Sequence, residues 1–319
     1  MKAPELPPLG LGTAGIGNLY RSVSDEDAEN LLVAAWDAGI RYFDTAPFYG
    51  FGRAEERLGR FLSHPREGVI VSTKVGRVLD PADPERIPDH GFADPLPFAP
   101  RFDYGRDGVL RSFEGSVARL GRVPDILLIH DIGERTHVAD GNSRHLADLR
   151  SGGFRALEEL QGQGVRRVGI GVNEVEIGEL LLNETRLDVI LLAGRHTLLE
   201  REAKSLLRRA EGQGTAIIAA GIYNSGILAT GSVPEAKFDY AAAPPWIQAR
   251  VERLGKVSAR HQLPLSALAV QFPRRDPAVS TVLLGAASAA ELASSLTDLA
   301  RNVPPAAWAE VEEALASSL

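Results

Sequence analysis

Four ionisable side chains mark the first part of the chain. The stretch RYFDTAPFYGFGRAEERLG begins at Arg41, and its apolar run stops at Asp44. Tyr49 follows across a short turn built on Thr45, Ala46 and Pro47. Further on, VIVSTK closes at Lys74 and DILLIH closes at His130. Together these residue types can move a proton while a hydride moves. An unperturbed tyrosine, with a pKa of about 10, is too weak an acid to exchange its proton usefully near neutrality. A neighbouring lysine ammonium stabilises the phenolate and lowers that value. Asp44 would hold the ammonium, and His130 would donate a hydrogen bond to a substrate oxygen. A tyrosine so tuned serves as acid or base. Taken singly, each residue also admits an ordinary role: a turn carboxylate, a loop aromatic, a solvated strand-end lysine, a half-buried imidazole. Their succession at strand ends is what points to one site.

The elements that would position them read as follows. Apolar runs at Leu9–Thr13, Arg41–Asp44, Val69–Lys74, Ile126–His130, Arg167–Val172, Val189–Ala193, Ala216–Ala220 and Thr281–Leu284 have the continuous hydrophobicity of parallel strands buried on both faces. Amphipathic segments separate them: Ser24–Ala38, Arg53–Leu62, Gly108–Leu120, Phe154–Gln163, Val175–Leu182, Glu200–Glu211, Pro245–His261 and Ala287–Leu299, with Ala306–Ser317 ending the chain. Gly39, Gly164 and Gly214 stand where helix C-caps are expected. Eight strand–helix units predict an α/β fold, a single (β/α)8 barrel domain over residues 1–319. GLGTAG at Gly10–Gly15 matches a dinucleotide fingerprint, but loop-like sequence and not a helix follows it, so it reads as a glycine-rich first strand and turn. Residues 76–105 and 131–153 are expected to be long loops without regular structure on the C-terminal face, where barrel enzymes keep their sites. In the first of them Phe92, Phe98, Phe102 and Tyr104 are candidates to cover a substrate.

Composition narrows the partners. The formal net charge is −7 with no Lys/Arg block, so the electrostatic footprint of a nucleic-acid binder is missing. The chain has no cysteine, which excludes disulfides, thiolate metal sites and cysteine nucleophiles. No apolar h-region opens the sequence and no run is long enough for a membrane span, so a cytoplasmic protein acting on a small molecule is expected, without a metal and as a monomer or weak homo-oligomer.

At this point the sequence resembles the aldo-keto reductases. AGIRYFDTAPFYGFGRAEERLG, VIVSTKVG, PDILLIHD, RRVGIGVNE, NSGILATG and VLLGAASAAEL occur in the order of that family and span nearly the whole chain. The resemblance implies a catalytic tetrad of Asp44, Tyr49, Lys74 and His130, and a nicotinamide dinucleotide bound without a Rossmann domain. It implies cofactor contacts from Thr13, Asp44 and Asn173, with Val172 where the family has serine. It places His196 where an aromatic ring stacks on the nicotinamide. Gly221, Ile222, Tyr223, Ser225 and Gly226 would wrap the pyrophosphate, while Gly285, Ala286, Ala287, Glu291 and Ser295 would reach the adenosine. Tyr20, Phe48 and Trp246 join Tyr49 and His130 as implied substrate contacts. Glu291 in place of a cationic or amide residue implies NAD rather than NADP, since a carboxylate accepts from ribose hydroxyls and repels a phosphate. Within the family the chain looks most like aldose 1-dehydrogenases, among them those acting on L-fucose and D-threo-aldoses, which convert a sugar to its lactone. The rivals are pyridoxal 4-dehydrogenases, broad aldehyde reductases, and a non-catalytic barrel that senses the cofactor.

Overall fold

The computed structural model describes residues 5–83 and 87–316. Twelve strands are found among them: β1 (Leu9–Gly12), β2 (Tyr42–Asp44), β3 (Ile70–Val75), β4 (Arg77–Pro81), β5 (Phe98–Phe102), β6 (Ile126–His130), β7 (Arg167–Val172), β8 (Val189–Ala193), β9 (Ala216–Ala220), β10 (Lys237–Phe238), β11 (Ala241–Ala242) and β12 (Val279–Gly285). Eight of these close into a parallel barrel in the order β1, β12, β9, β8, β7, β6, β3, β2. Tyr42, Ile126, Leu128, Val189, Leu191 and Leu283 belong to one buried cluster drawn from six of these strands. Full burial of such side chains contributes roughly 1.5–3 kcal/mol each. The register sets His130 beside Gly171 and Gly12 beside Asp44, so the polar strand ends emerge at one mouth.

Helices cover the outside. The first is α1 (Asp25–Asp37), capped by Ser24, whose hydroxyl accepts the amide of Asp27. It turns Ala28, Leu31, Leu32 and Ala35 inward. Then come α2 (Arg53–Leu62), α3 (Arg106–Leu120), α4 (Glu134–Asp148), α5 (Phe154–Gln161), α6 (Val175–Glu184), α7 (Lys204–Gln213), the single turn α8 (Ile227–Thr230), α9 (Pro245–Arg260), α10 (Leu265–Gln271), α11 (Ala289–Leu299) and α12 (Pro305–Ala316). The last helix was expected to reach Ser317, which lies outside the described residues. Gly39, Gly164 and Gly214 adopt the left-handed backbone expected of them.

Two expectations are corrected. Residues 131–153 are largely helical: α4, broken at Val138 (φ 50°), runs into a π-turn over Leu149–Gly153. Its buried side chains, His137, Asn142 and Leu146, are mostly polar, so no apolar period announces a helix. Residues 76–105 hold the antiparallel hairpin β4–β5, which pairs Arg77 with Phe102. A second hairpin, β10–β11, stands between α8 and α9 with Asp239 and Tyr240 at its turn, both in left-handed backbone.

The turn between β1 and α1 is fastened by a single buried side chain. Arg57 of α2, 4% exposed, donates to the carbonyls of Ile16 (2.6 Å) and Val23 (2.7 Å), to Asn18 Oδ1 (2.9 Å) and to Asp25 (2.8 Å). Truncating it would leave several buried acceptors without donors. Arg57→Ala is expected to cost about 2–4 kcal/mol. Thermal unfolding should show a Tm lowered by roughly 3–6 °C.

Candidate active site

Lys74 stands at the centre of the mouth. It is 2% exposed and its ammonium has three partners: Asp44 Oδ2 at 2.8 Å, the Thr45 carbonyl at 2.9 Å and the Tyr49 hydroxyl at 3.0 Å. Asp44 closes β2 and also accepts from the Ser72 hydroxyl at 2.7 Å. Tyr49 sits on the turn before α2, with its ring under the Lys74 ammonium at 4.6 Å and edge-on to His130 at 6.1 Å. The strand ends and the β2–α2 turn therefore bring the four residues together as the sequence implied.

Their electrostatics differ from expectation at one point. Burial pushes the Tyr49 phenol above its ordinary range; Lys74 pulls it down without cancelling the rise, and Asp44 adds to it. The lysine was expected to leave tyrosine with a lowered value, and the dry setting outweighs it. Burial disfavours the charge on Lys74, yet Asp44 and Tyr49 together hold its pKa above normal, so it stays an ammonium. Burial drives His130 well below its ordinary value, and the imidazole is neutral. Its Nδ1 is buried without a partner, whereas Nε2 lies 3.4 Å from Asp131 Oδ2. The His130 backbone is braced from behind by the Tyr104 hydroxyl, which donates to its carbonyl at 2.7 Å.

Two joined cavities open beside these residues. The first, of about 370 Å³, runs from Asn173 and Tyr49 past Gly221–Gly226 to Gly285–Ala287 and Glu291. The second, of about 390 Å³, is walled by Phe48, His90, Phe92, Arg77, His130 and Asp131. Tyr20, Tyr49, Asn173 and Tyr240 line both. The first cavity fits an extended dinucleotide. Its floor carries Gly12, Gly15, Gly221 and Gly285, and a Cβ at Gly15 would come within 2.2 Å of the Ala286 carbonyl oxygen. Gly221 and Gly226 have φ of 61° and 100°, which curl the loop after β9 without side-chain bulk.

Most residues implied for the cofactor line that groove: Asp44, Asn173, Gly221, Ile222, Tyr223, Ser225, Gly226, Gly285, Ala286, Ala287 and Glu291. Four implied residues do not reach a cavity. Thr13 is fully buried and gives both its amide and its hydroxyl hydrogen to the Asp44 carbonyl, at 2.9 Å each, a brace between β1 and β2. His196 is buried against Phe272, ring centroids 5.3 Å apart. The chain turns at Gly194 (φ 70°), and Arg195, just before His196, is itself buried, donating to the Asn173 carbonyl and to Asp239. Ser295 lies behind Tyr223, accepting from its hydroxyl at 3.0 Å. Trp246, in the first turn of α9, packs on Phe238, and the hairpin turn brings Tyr240 to the mouth in its place. Of the four aromatics expected to cover a substrate, only Phe92 lines the second cavity; Phe102 lies over Arg77 and Tyr104 is in the core. Arg77, His90, Asp131, Asp239 and Tyr240 were not foreseen. Arg77 and Asp131 lie only three and one positions beyond Lys74 and His130, the one signal that could have found them.

A closed barrel with a Lys–Tyr–Asp–His cluster beside a glycine-floored groove defines a nicotinamide-dependent oxidoreductase. Residues 8–316 match the model of the aldo/keto reductase family, and the chain belongs to that family. It is 46% identical to pyridoxal 4-dehydrogenase of Microbacterium luteolum, over 94% of this chain and 91% of that one. It is 38% identical to D-threo-aldose 1-dehydrogenase of a Pseudomonas species, over 97% and 94%. An aldo-keto reductase of Bacillus halodurans shares the fold with a TM-score of 0.75 at 19% identity, covering 98% of this chain and 96% of the other. Among the described residues no helix is long and apolar enough to cross a membrane.

The lysine's influence on the phenol can be read directly. Lys74→Met removes the one cation that lowers the Tyr49 pKa, so the apparent pKa of the pH–rate profile should move upward. The rate near neutrality should fall by roughly 10²- to 10⁴-fold. A profile that stays in place would separate Lys74 from the proton transfer.

Proposed function

We propose that the protein oxidises the cyclic hemiacetal of an aldose at its anomeric carbon and forms a lactone. The observation that carries this reading is the Tyr49 hydroxyl, 3.0 Å from the Lys74 ammonium, at the junction of the groove and the substrate-side cavity. Tyr49, as phenolate, takes the proton of the anomeric hydroxyl while the C1–H bond breaks and C1 becomes the lactone carbonyl. Lys74 stabilises the phenolate, and Asp44 keeps Lys74 charged and in place. Neutral His130 donates from Nε2 to the reacting oxygen and fixes its approach. Bound nicotinamide supplies the hydride acceptor. The side-chain amide of Asn173, at the junction of the cavities, would hold the carboxamide. In reduction the same residues act in reverse, with Tyr49 as the acid.

A second reading is the oxidation of pyridoxal, whose hemiacetal carbon is borne on a flat aromatic ring. The 46% identity to a pyridoxal 4-dehydrogenase favours it, as do the Phe48 and Phe92 rings in the cavity wall. Ultraviolet absorbance of the reduced cofactor, followed with a panel of aldoses and with pyridoxal, distinguishes the two. Turnover of pyridoxal alone would replace the aldose reading.

NAD is the cofactor this reading prefers. Glu291 faces the groove, where it accepts the Ala287 amide at 2.8 Å and pairs with Arg21. Gly285 and Ala286 offer no polar side chain to a 2′-phosphate. Arg21 offsets part of the carboxylate's charge, so a phosphate is disfavoured by about 1–2 kcal/mol, roughly 5- to 30-fold in kcat/KM. Glu291→Arg should narrow that ratio, and a wild-type preference for NADP⁺ would overturn the assignment.

Tyr49→Phe keeps the ring and loses the transferable proton. It should lower kcat by about 10²- to 10⁴-fold while NADH still binds, as followed by fluorescence. A kcat close to wild type in this variant would exclude Tyr49 as the acid–base group.

A further inference from the structure

The substrate-side cavity holds two charged side chains that the chemistry above does not use. Arg77 opens β4, three residues beyond Lys74, and Asp131 follows His130 at the end of β6. They pair with each other across the cavity wall. Burying an ion pair is costly and adds little stability on its own, so this one calls for another reason.

Its construction points to a ligand. Asp131 has φ 49°, a left-handed conformation that is strained for a non-glycine residue. That turn sets its carboxylate beside the catalytic imidazole, 3.4 Å from His130 Nε2. Arg77 donates to one oxygen, Oδ2, which leaves Oδ1 for another donor. The Arg77 guanidinium lies against Phe48 at 3.8 Å and Phe102 at 4.7 Å, more than nine-tenths buried, and its Nε has no partner. An acceptor and a donor are thus held rigidly together beside the atom that receives the reacting oxygen.

We propose that Arg77 and Asp131 form a recognition site for a second hydroxyl, on the carbon next to the reacting one. Asp131 accepts its proton and Arg77 donates to its oxygen. Hydroxyls on adjacent sugar carbons lie roughly 3 Å apart, close to the 3.4 Å between His130 Nε2 and Asp131 Oδ2. The site selects polyhydroxylated substrates over simple aldehydes, and the inference rests on the aldose reading.

The test compares kcat/KM for an aldose and its 2-deoxy analogue in the wild type, Asp131→Asn and Asp131→Ala. NADH binding by fluorescence verifies that each variant is folded. In the wild type the deoxy sugar should lose roughly 10- to 150-fold, the worth of a hydrogen bond to a charged group. In Asp131→Ala the aldose should lose the same factor and the deoxy sugar little, so that the ratio falls toward unity, with Asp131→Asn in between. An equal loss on both sugars would mean that Asp131 acts only through His130, and the proposal fails. It fails equally if the wild type does not discriminate while oxidising aldoses, which leaves the functional reading intact. Failure to oxidise any aldose removes that reading and this one with it.

Discussion

A buried ammonium with three hydrogens and three acceptors is the constraint on which the site depends. Lys74 spends one hydrogen on Asp44, one on the Thr45 carbonyl and one on Tyr49. None is left for water, and the side chain is 2% exposed. A lysine in such a place survives as a cation only because the Asp44 carboxylate accompanies it, and removing one member of a buried pair typically costs about 3–5 kcal/mol. The Tyr49 hydroxyl therefore takes the ammonium's third hydrogen, the other two being held by Asp44 and Thr45. Everything around it serves to keep those atoms in place: Thr13 fastens β1 to the end of β2, Ser72 takes part of Asp44, and Arg57 fastens the turn that carries Tyr20 to the mouth.

The parallel barrel explains why those atoms converge. Asp44, Lys74 and His130 come from β2, β3 and β6, which are consecutive around the barrel although the hairpin β4–β5 and helix α3 intervene in the chain between the last two. Insertions at the mouth do not disturb that order, because they leave from strand ends. They decide instead what the mouth contains. The β4–β5 excursion contributes His90 and Phe92 to the second cavity, and β10–β11 places Tyr240 between the two.

How much of this was legible in the sequence follows from what stabilises each part. The eight barrel strands are apolar on both faces, and their side chains alone announce them. The tetrad was legible because ionisable residues closing apolar runs stand out. Helix α4 was not: its inward face is built from His137 and Asn142 beside Leu146, and Tyr104, from a distant segment, supplies a partner to His137 at 2.9 Å. His196 misled because position along the chain implies which way a ring points only while the backbone is regular, and Gly194 ends that regularity one residue before Arg195. The Arg77–Asp131 pair depends on a left-handed turn at Asp131, a conformation that sequence does not announce for a residue other than glycine.

Seen as charges, the mouth is balanced. Lys74 and Asp44 cancel on one side of the reacting point, and Arg77 and Asp131 cancel on the other. Burial disfavours the Asp131 charge, but the cations beside it, Arg77 and Lys74, keep its pKa below the ordinary carboxylate range. With His130 and Tyr49 neutral the site carries no net charge, which a dry cavity tolerates best. Loss of the Tyr49 proton leaves one negative charge there. Burial and Asp44 both oppose it, and the net rise in the phenol's pKa records that opposition. Oxidised nicotinamide is a cation, and the groove that would hold it runs up to Tyr49. Held at that end, its positive charge would complement the phenolate and would be absent once the ring is reduced. The same buried phenol would thereby be suited to accept a proton in one redox state and to donate it in the other, with no change in the other charges of the site.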